Sequence, residues 1–186
     1  TSITLPESLT ALSVSDFVFH NCSKLTSITL PKNVVGIGSF AFDGCTNTAN
    51  VYIGDNVKVI PSNAFNHFNG LTNLTIGESV ISIGSYAFDY CSSLKKVNYN
   101  AINCAATNGT IFNSRNYNYN DLTTVVIGDK VKTIPAKLFY VGSSHSRIKS
   151  ITWGKSIEEI QEEAFYGSDM SSITIPGTVK TIGDYA

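Results

Sequence analysis

Charge is scarce in this chain of 186 residues: Asp, Glu, Lys and Arg make up 15%, well below the quarter usual in globular proteins. With 13 basic and 14 acidic residues the formal net charge is −1, which favours neither nucleic acid nor an anionic membrane as partner. No run of 18 apolar residues occurs, so no membrane-spanning helix is expected. No charged stretch followed by an apolar core opens the chain, and no secretory leader is visible there. No H-E-x-x-H, G-x-S-x-G, Walker-type or EF-hand pattern is present. The four cysteines, Cys22, Cys45, Cys91 and Cys104, include no C-x-x-C pair, which argues against a zinc ribbon or a thioredoxin-like site. The chain is therefore not read as an enzyme, and no catalytic residue, metal or cofactor is assigned to it.

What is present is repetition. A short I-x-I element recurs from Ile3, Ile28, Val51, Leu74, Val97, Val125, Ile151 and Ile173, with three successive steps of 23 residues (28 to 51, 51 to 74, 74 to 97). The cleanest copy runs Ile28, Leu30, Pro31, Val34, Ile37, Gly38, Ala41, Phe42, Gly44, Cys45, and the copy from Leu74 to Leu94 follows it. Fixed spacing of this kind marks a stacked array in which each repeat buries its apolar face against the next. Period-2 alternation makes I-x-I a short strand with two side chains inward. The following Pro or Gly ends it, V-x-x-I returns two side chains to the interior, Ala sits where the backbone passes close, and Phe fills the centre. One repeat buries too little to offset the entropy of ordering its own backbone, so stability is expected to be shared between neighbours. At the spacing of paired strands, eight rungs make a rod roughly 40 Å long.

The segments I-T-L-P…V…I-G-S-F-A-F-D-G-C (28–45) and I-G-S-Y-A-F-D-Y-C-S-S-L (83–94) resemble the BspA-like leucine-rich repeat family over almost the whole chain. The fold expected is a repeat solenoid of the leucine-rich-repeat type, with a parallel β-sheet on one face and turns and short irregular or helical segments on the other. A single domain over 1–186, of about eight repeats, is expected. Neither terminus reads as a capping repeat, and the chain is expected to be a fragment of a longer protein. The resemblance implies a secreted or cell-surface protein of bacteria or protists, linked to adhesion to host proteins or other cells, and supplies no catalytic residues. The function expected is a non-catalytic protein-interaction or adhesion module whose partner is a host or other cell-surface protein. The rival is an accessory repeat domain or spacer attached to an enzyme or anchor elsewhere in the full-length chain.

Candidate binding residues follow from the strand pattern. The outward positions Thr4, Thr29, Tyr52, Thr75, Asn98, Val126, Thr152 and Thr174 form one column; Ser2, Ser27, Asn50, Asn73, Lys96, Thr124, Ser150 and Ser172 form another. This small-polar surface is either a solvated β-ladder or the recognition face solenoids commonly use, with Tyr52, Thr75 and Asn98 as its candidates. The fifth repeat lacks clear V-x-x-I-G and A-F elements and carries an insertion within Asn103–Asp121 containing Phe112. Tyr117 and Tyr119 in that insertion are further candidates, since Tyr offers large contact area at modest entropic cost.

Other residues are read as structural. Tyr99 and Trp153 occupy inward strand positions and are expected to fill the core. Phe40, Tyr86 and Tyr185 share the position before Ala, a convex stripe interrupted by Asn63, Lys137 and Glu163. His20, His67 and His145 fall at different repeat positions, so stacking is not expected to unite them. Glu158, Glu159, Glu162 and Glu163 read as a solvated edge. Cys22, Cys45 and Cys91 share an inward slot suited to small buried thiols, with a Cys22–Cys45 bridge as the alternative.

Overall fold

The computed structural model describes residues 3, 5–12, 16–107, 110–112, 122–140 and 148–186. Its strands in chain order are β1 (Ala11–Leu12), β2 (Ser27–Thr29), β3 (Gly36–Ile37), β4 (Asn50–Ile53), β5 (Val59–Ile60), β6 (Asn73–Ile76), β7 (Ser82–Ile83), β8 (Lys96–Tyr99), β9 (Ala106–Thr107), β10 (Thr124–Ile127), β11 (Thr133–Ile134), β12 (Ser150–Thr152), β13 (Glu159–Ile160) and β14 (Thr181–Ile182). The I-x-I elements pair as a six-stranded parallel sheet in the order β12-β10-β8-β6-β4-β2. Each coil of chain therefore returns to the sheet one rung further on. Register is uniform: Val51 lies beside Leu74 and Leu74 beside Val97, so every inward side chain stands over its counterpart. Six of the eight expected elements enter this sheet; Ile173–Ile175 lies outside it, and of the first element the described residues Ile3 and Leu5 fall in no strand.

The V-x-x-I segments point inward as expected, but they also pair with one another. They form a second parallel ladder, β1-β3-β5-β7-β9, continued after a break as β11-β13-β14. The break falls where the chain carries its insertion.

No helix occurs among the described residues, and the far side is built of turns. These turns carry a third ladder. Phe19, Phe42, Phe65 and Phe88 donate their N–H groups to the carbonyls of Ala41, Ala64, Ala87 and Ile111 in the following coil. The residue before Ala, or before Val18 and Leu138 in the two coils where these take the place of Ala, adopts positive φ in coil after coil: Phe17 at 68°, Phe40 at 55°, Asn63 at 58°, Tyr86 at 59°, Lys137 at 59°, Glu163 at 52° and Tyr185 at 55°. For a non-glycine residue that conformation costs roughly 1–2 kcal/mol. It is held by inter-coil bonds such as Asn63 N–H to Ser85 O and Glu163 N–H to Asp184 O. After Phe, a buried Asn or Asp braces the next left-handed residue: Asn66 Oδ1 accepts from His67 N–H at 2.8 Å and Asp89 Oδ1 from Tyr90 N–H at 3.0 Å.

The glycines after the strands have a different role. Gly54, Gly77 and Gly154 are not in the left-handed region, which is why Pro31 can share their slot. They allow close approach: a Cβ on Gly77 would sit 2.6 Å from the Ile53 carbonyl oxygen.

Inside, a column of rings runs the length of the array. Phe19, Phe42, Phe65, Phe88, Phe112, Phe139 and Phe165 stack at centroid separations of 5.2, 5.3, 5.4, 5.5, 5.6 and 5.3 Å. Phe112 therefore belongs to the core and not to a surface loop, and Ile111-Phe112 supplies the A-F element that the fifth repeat lacks in sequence. Tyr99 fills the interior edge-on to Phe139. Trp153 only half-buries its ring against Phe165 and donates Nε1–H to the Thr174 carbonyl at 3.0 Å.

Candidate functional site

The open face of the main sheet is built by the residues between the buried ones. Thr29, Tyr52, Thr75, Asn98, Val126 and Thr152 lie in register on successive rungs, and Ser27, Asn50, Asn73, Lys96, Thr124 and Ser150 form the column beside them. Tyr52, Thr75 and Asn98 thus come together as expected, while Tyr117 and Tyr119 lie outside the described residues.

Hydrogen bonds between rungs orient these side chains. Asn73 Nδ2 donates to Asn50 Oδ1 at 3.0 Å, and Asn98 Nδ2 donates to Thr75 Oγ1 at 3.0 Å. The Tyr52 hydroxyl donates to Asp55 Oδ2 at 2.8 Å, while Asp55 Oδ1 accepts from Glu78 N–H at 3.2 Å. Glu78 in turn holds Lys130 at 2.8 Å, two coils away. Desolvation of the Tyr52 hydroxyl and its bond to Asp55 push that phenol up to about 12. The rim residues Asp55, Glu78 and Lys130 were not anticipated from sequence; the three-residue step from Tyr52 to Asp55, spanning the glycine turn, was the available sign.

Elsewhere the expectation for the histidines is corrected. His20 Nδ1 lies 3.2 Å from Asp43 Oδ2, and His67 Nδ1 lies 2.9 Å from Asp43 Oδ1. Offset repeat positions bring them together because Asp43 stands on the coil between and offers one oxygen to each side. His145 lies outside the described residues. Glu158 is more than a solvated edge: Lys180 at 2.6 Å and Lys132 at 3.4 Å flank it and hold its carboxyl below the usual range. Glu163 pairs with Lys137 at 3.3 Å.

The cysteines are free thiols. Cys45 Sγ contacts the Phe19 carbonyl at 3.3 Å and Cys91 Sγ the Phe65 carbonyl at 3.6 Å, so the shared slot suits a small group that can donate to the preceding coil. Burial pushes the Cys45 thiol up to about 12, and Cys91 further, leaving both poor nucleophiles. Among the described residues no group of three His, Cys, Asp or Glu side chains is placed to hold a metal ion, and no helix is long and apolar enough to cross a membrane. An apolar cavity of about 400 Å³ lies on the last coil among Trp153, Phe165, Met170, Ile173, Ile175 and Ile182.

The BspA-type leucine-rich repeat region, in six copies, matches residues 1–117 and 110–186. The chain belongs to this family. Among solved structures it is similar to a leucine-rich repeat protein of Eubacterium ventriosum, with 22% identity and a TM-score of 0.62 over 86% of this chain and 41% of that one. It is also similar to the T. pallidum leucine-rich repeat protein TpLRR, with 23% identity and a TM-score of 0.56 over 81% of this chain and 67% of that one. A third likeness is to the pneumococcal vaccine antigen PcpA, with 19% identity and a TM-score of 0.51 over 83% of this chain and 35% of that one. The BspA-type array thus spans less than half of the Eubacterium and pneumococcal chains it matches. No curated protein matches the sequence.

Proposed function

We propose that this BspA-type array is a non-catalytic protein-interaction or adhesion module of a secreted or cell-surface protein, and that it binds through the open face of the main sheet. The observation that carries the reading is the register of Tyr52, Thr75 and Asn98, held on adjacent rungs by a parallel ladder and left uncovered. A repeat scaffold of this kind offers a rigid, extended surface on which recognition needs little reordering. The buried, unreactive thiols and the structural engagement of the histidines around Asp43 support a binding role over a chemical one. Membership of the family supports placing the module outside the cell.

The test is a binding assay of the chain on intact cells and on proteins released from their surface. Retention that falls when Tyr52→Ala and Asn98→Lys are combined is the expected result. Retention that is absent, or unchanged by that double substitution, would overturn the reading.

A further inference from the structure

The open face is unusual in what its central rungs present. Burial of the sheet's other side requires only that alternate residues be apolar; it leaves the outward residues unconstrained. At those free positions the chain places amides and hydroxyls with a single aromatic ring among them. Asn50, Asn73, Thr75 and Asn98 are linked in bonded pairs across rungs, so each amide is held in orientation while retaining a donor or acceptor toward solvent. Tyr52 is 42% exposed, and the bond from its hydroxyl to Asp55 tethers the ring by its tip. Charge is kept to the rim, on Asp55, Glu78 and Lys130, apart from Lys96.

We propose that this surface binds a neutral oligosaccharide, with the Tyr52 ring as stacking platform and the amides of Asn50, Asn73 and Asn98 as hydrogen-bonding groups. The proposal rests on the binding role given above: the partner protein is recognised by the neutral glycan it carries. A sugar ring offers neighbouring hydroxyls that both donate and accept, which planar amides match, and a face of C–H bonds that packs on an aromatic ring. A protein interface of ordinary make-up centres on a cluster of aromatic, apolar or Arg anchors, whereas Tyr52 is the single aromatic and Val126 the single apolar side chain in the two outward columns. A polyanion would require several cations, and Lys96 is the one lysine in the two outward columns. The rung spacing of a β-ladder is also of the same order as the length of one sugar ring, so successive sugars can lie over successive rungs.

The experiment uses the labelled chain on a printed array of neutral, sialylated and sulfated oligosaccharides. Binding to neutral members is expected, falling about tenfold or more in Tyr52→Ala, which removes the stacking ring. Tyr52→Phe, which keeps the ring, should restore most of it, and Lys96→Gln should leave it as it was. Thermal melting of Tyr52→Ala close to that of the parent shows that the loss is not one of folding. No binding to neutral glycans, binding confined to sulfated or sialylated members, or binding that survives Tyr52→Ala overturns the proposal. Adhesion to cells treated with periodate or with protease separates the two readings. Loss of adhesion after periodate supports the glycan. Adhesion that survives periodate and is lost with protease overturns the glycan and leaves the module's role intact. Absence of adhesion to untreated cells overturns that role itself.

Discussion

The Phe112 ring stacks on Phe88 at 5.5 Å with an interplanar angle of 15°, although the two belong to coils whose sequences do not align there. Phe112→Ala opens the aromatic column at its middle and should cost about 3–5 kcal/mol. Denaturant unfolding measures this. Thr75→Ala on the open face should cost far less, and equal small effects at both sites would contradict stacking through the fifth coil.

Close approach between coils makes Gly154 and Gly177 a matched pair. A Cβ on Gly154 would collide with the carbonyl oxygen of Gly128, whereas one on Gly177 meets nothing within 4 Å. Gly154→Ala should destabilise the array by about 1–3 kcal/mol, as overpacking does, and Gly177→Ala should be near neutral. Thermal melting of the two variants side by side checks the difference.

Backbone conformation gives a third expectation. Asn63 sits at φ 58°, where glycine is at ease and a β-branched residue is not. Asn63→Val should lower stability by about 1–2 kcal/mol, while Asn63→Gly should stay within about 0.5 kcal/mol of the parent. Similar losses from both in denaturant unfolding would mean that the side chain, and not the backbone, is what matters.

Desolvation and the bond to Asp55 push the Tyr52 phenol up to about 12, against about 10 for a free tyrosine. A raised phenol contributes stability that is complete below the free value and lost as pH rises through the folded one. Ultraviolet absorbance followed to high pH should show a late phenolate step that Tyr52→Phe lacks and that Asp55→Asn brings to lower pH. An unchanged step in Asp55→Asn would remove the carboxylate from the account.

Period and register were legible in the sequence, because Ile28, Val51 and Leu74 repeat at constant spacing and constant spacing forces stacking. The outward column of Tyr52, Thr75 and Asn98 followed from the same alternation. What escaped was whatever depends on backbone direction or on contacts between coils. Sequence periodicity places Val34 and Ile37 inside without saying that the backbone around Ile37 pairs with its neighbours. Nothing in Phe40 or Tyr86 announces a left-handed backbone, since neither residue favours one. Asp43 gives no sign in sequence of its partners, His20 and His67, which lie 23 and 24 residues away. Phe112 was hidden by the insertion that shifts it in sequence without shifting it in space.

The turn-side ladder has a sense. Phe42 and Phe65 send their N–H groups forward to the next coil, and on the sheet side Lys95 and Asn100 send theirs back, to Thr72 and Ile76. The array is thus vectorial, with unlike faces fore and aft. Two copies meeting nose to nose would set donor against donor along the turns, whereas a coil laid on in the same sense would find every complement waiting.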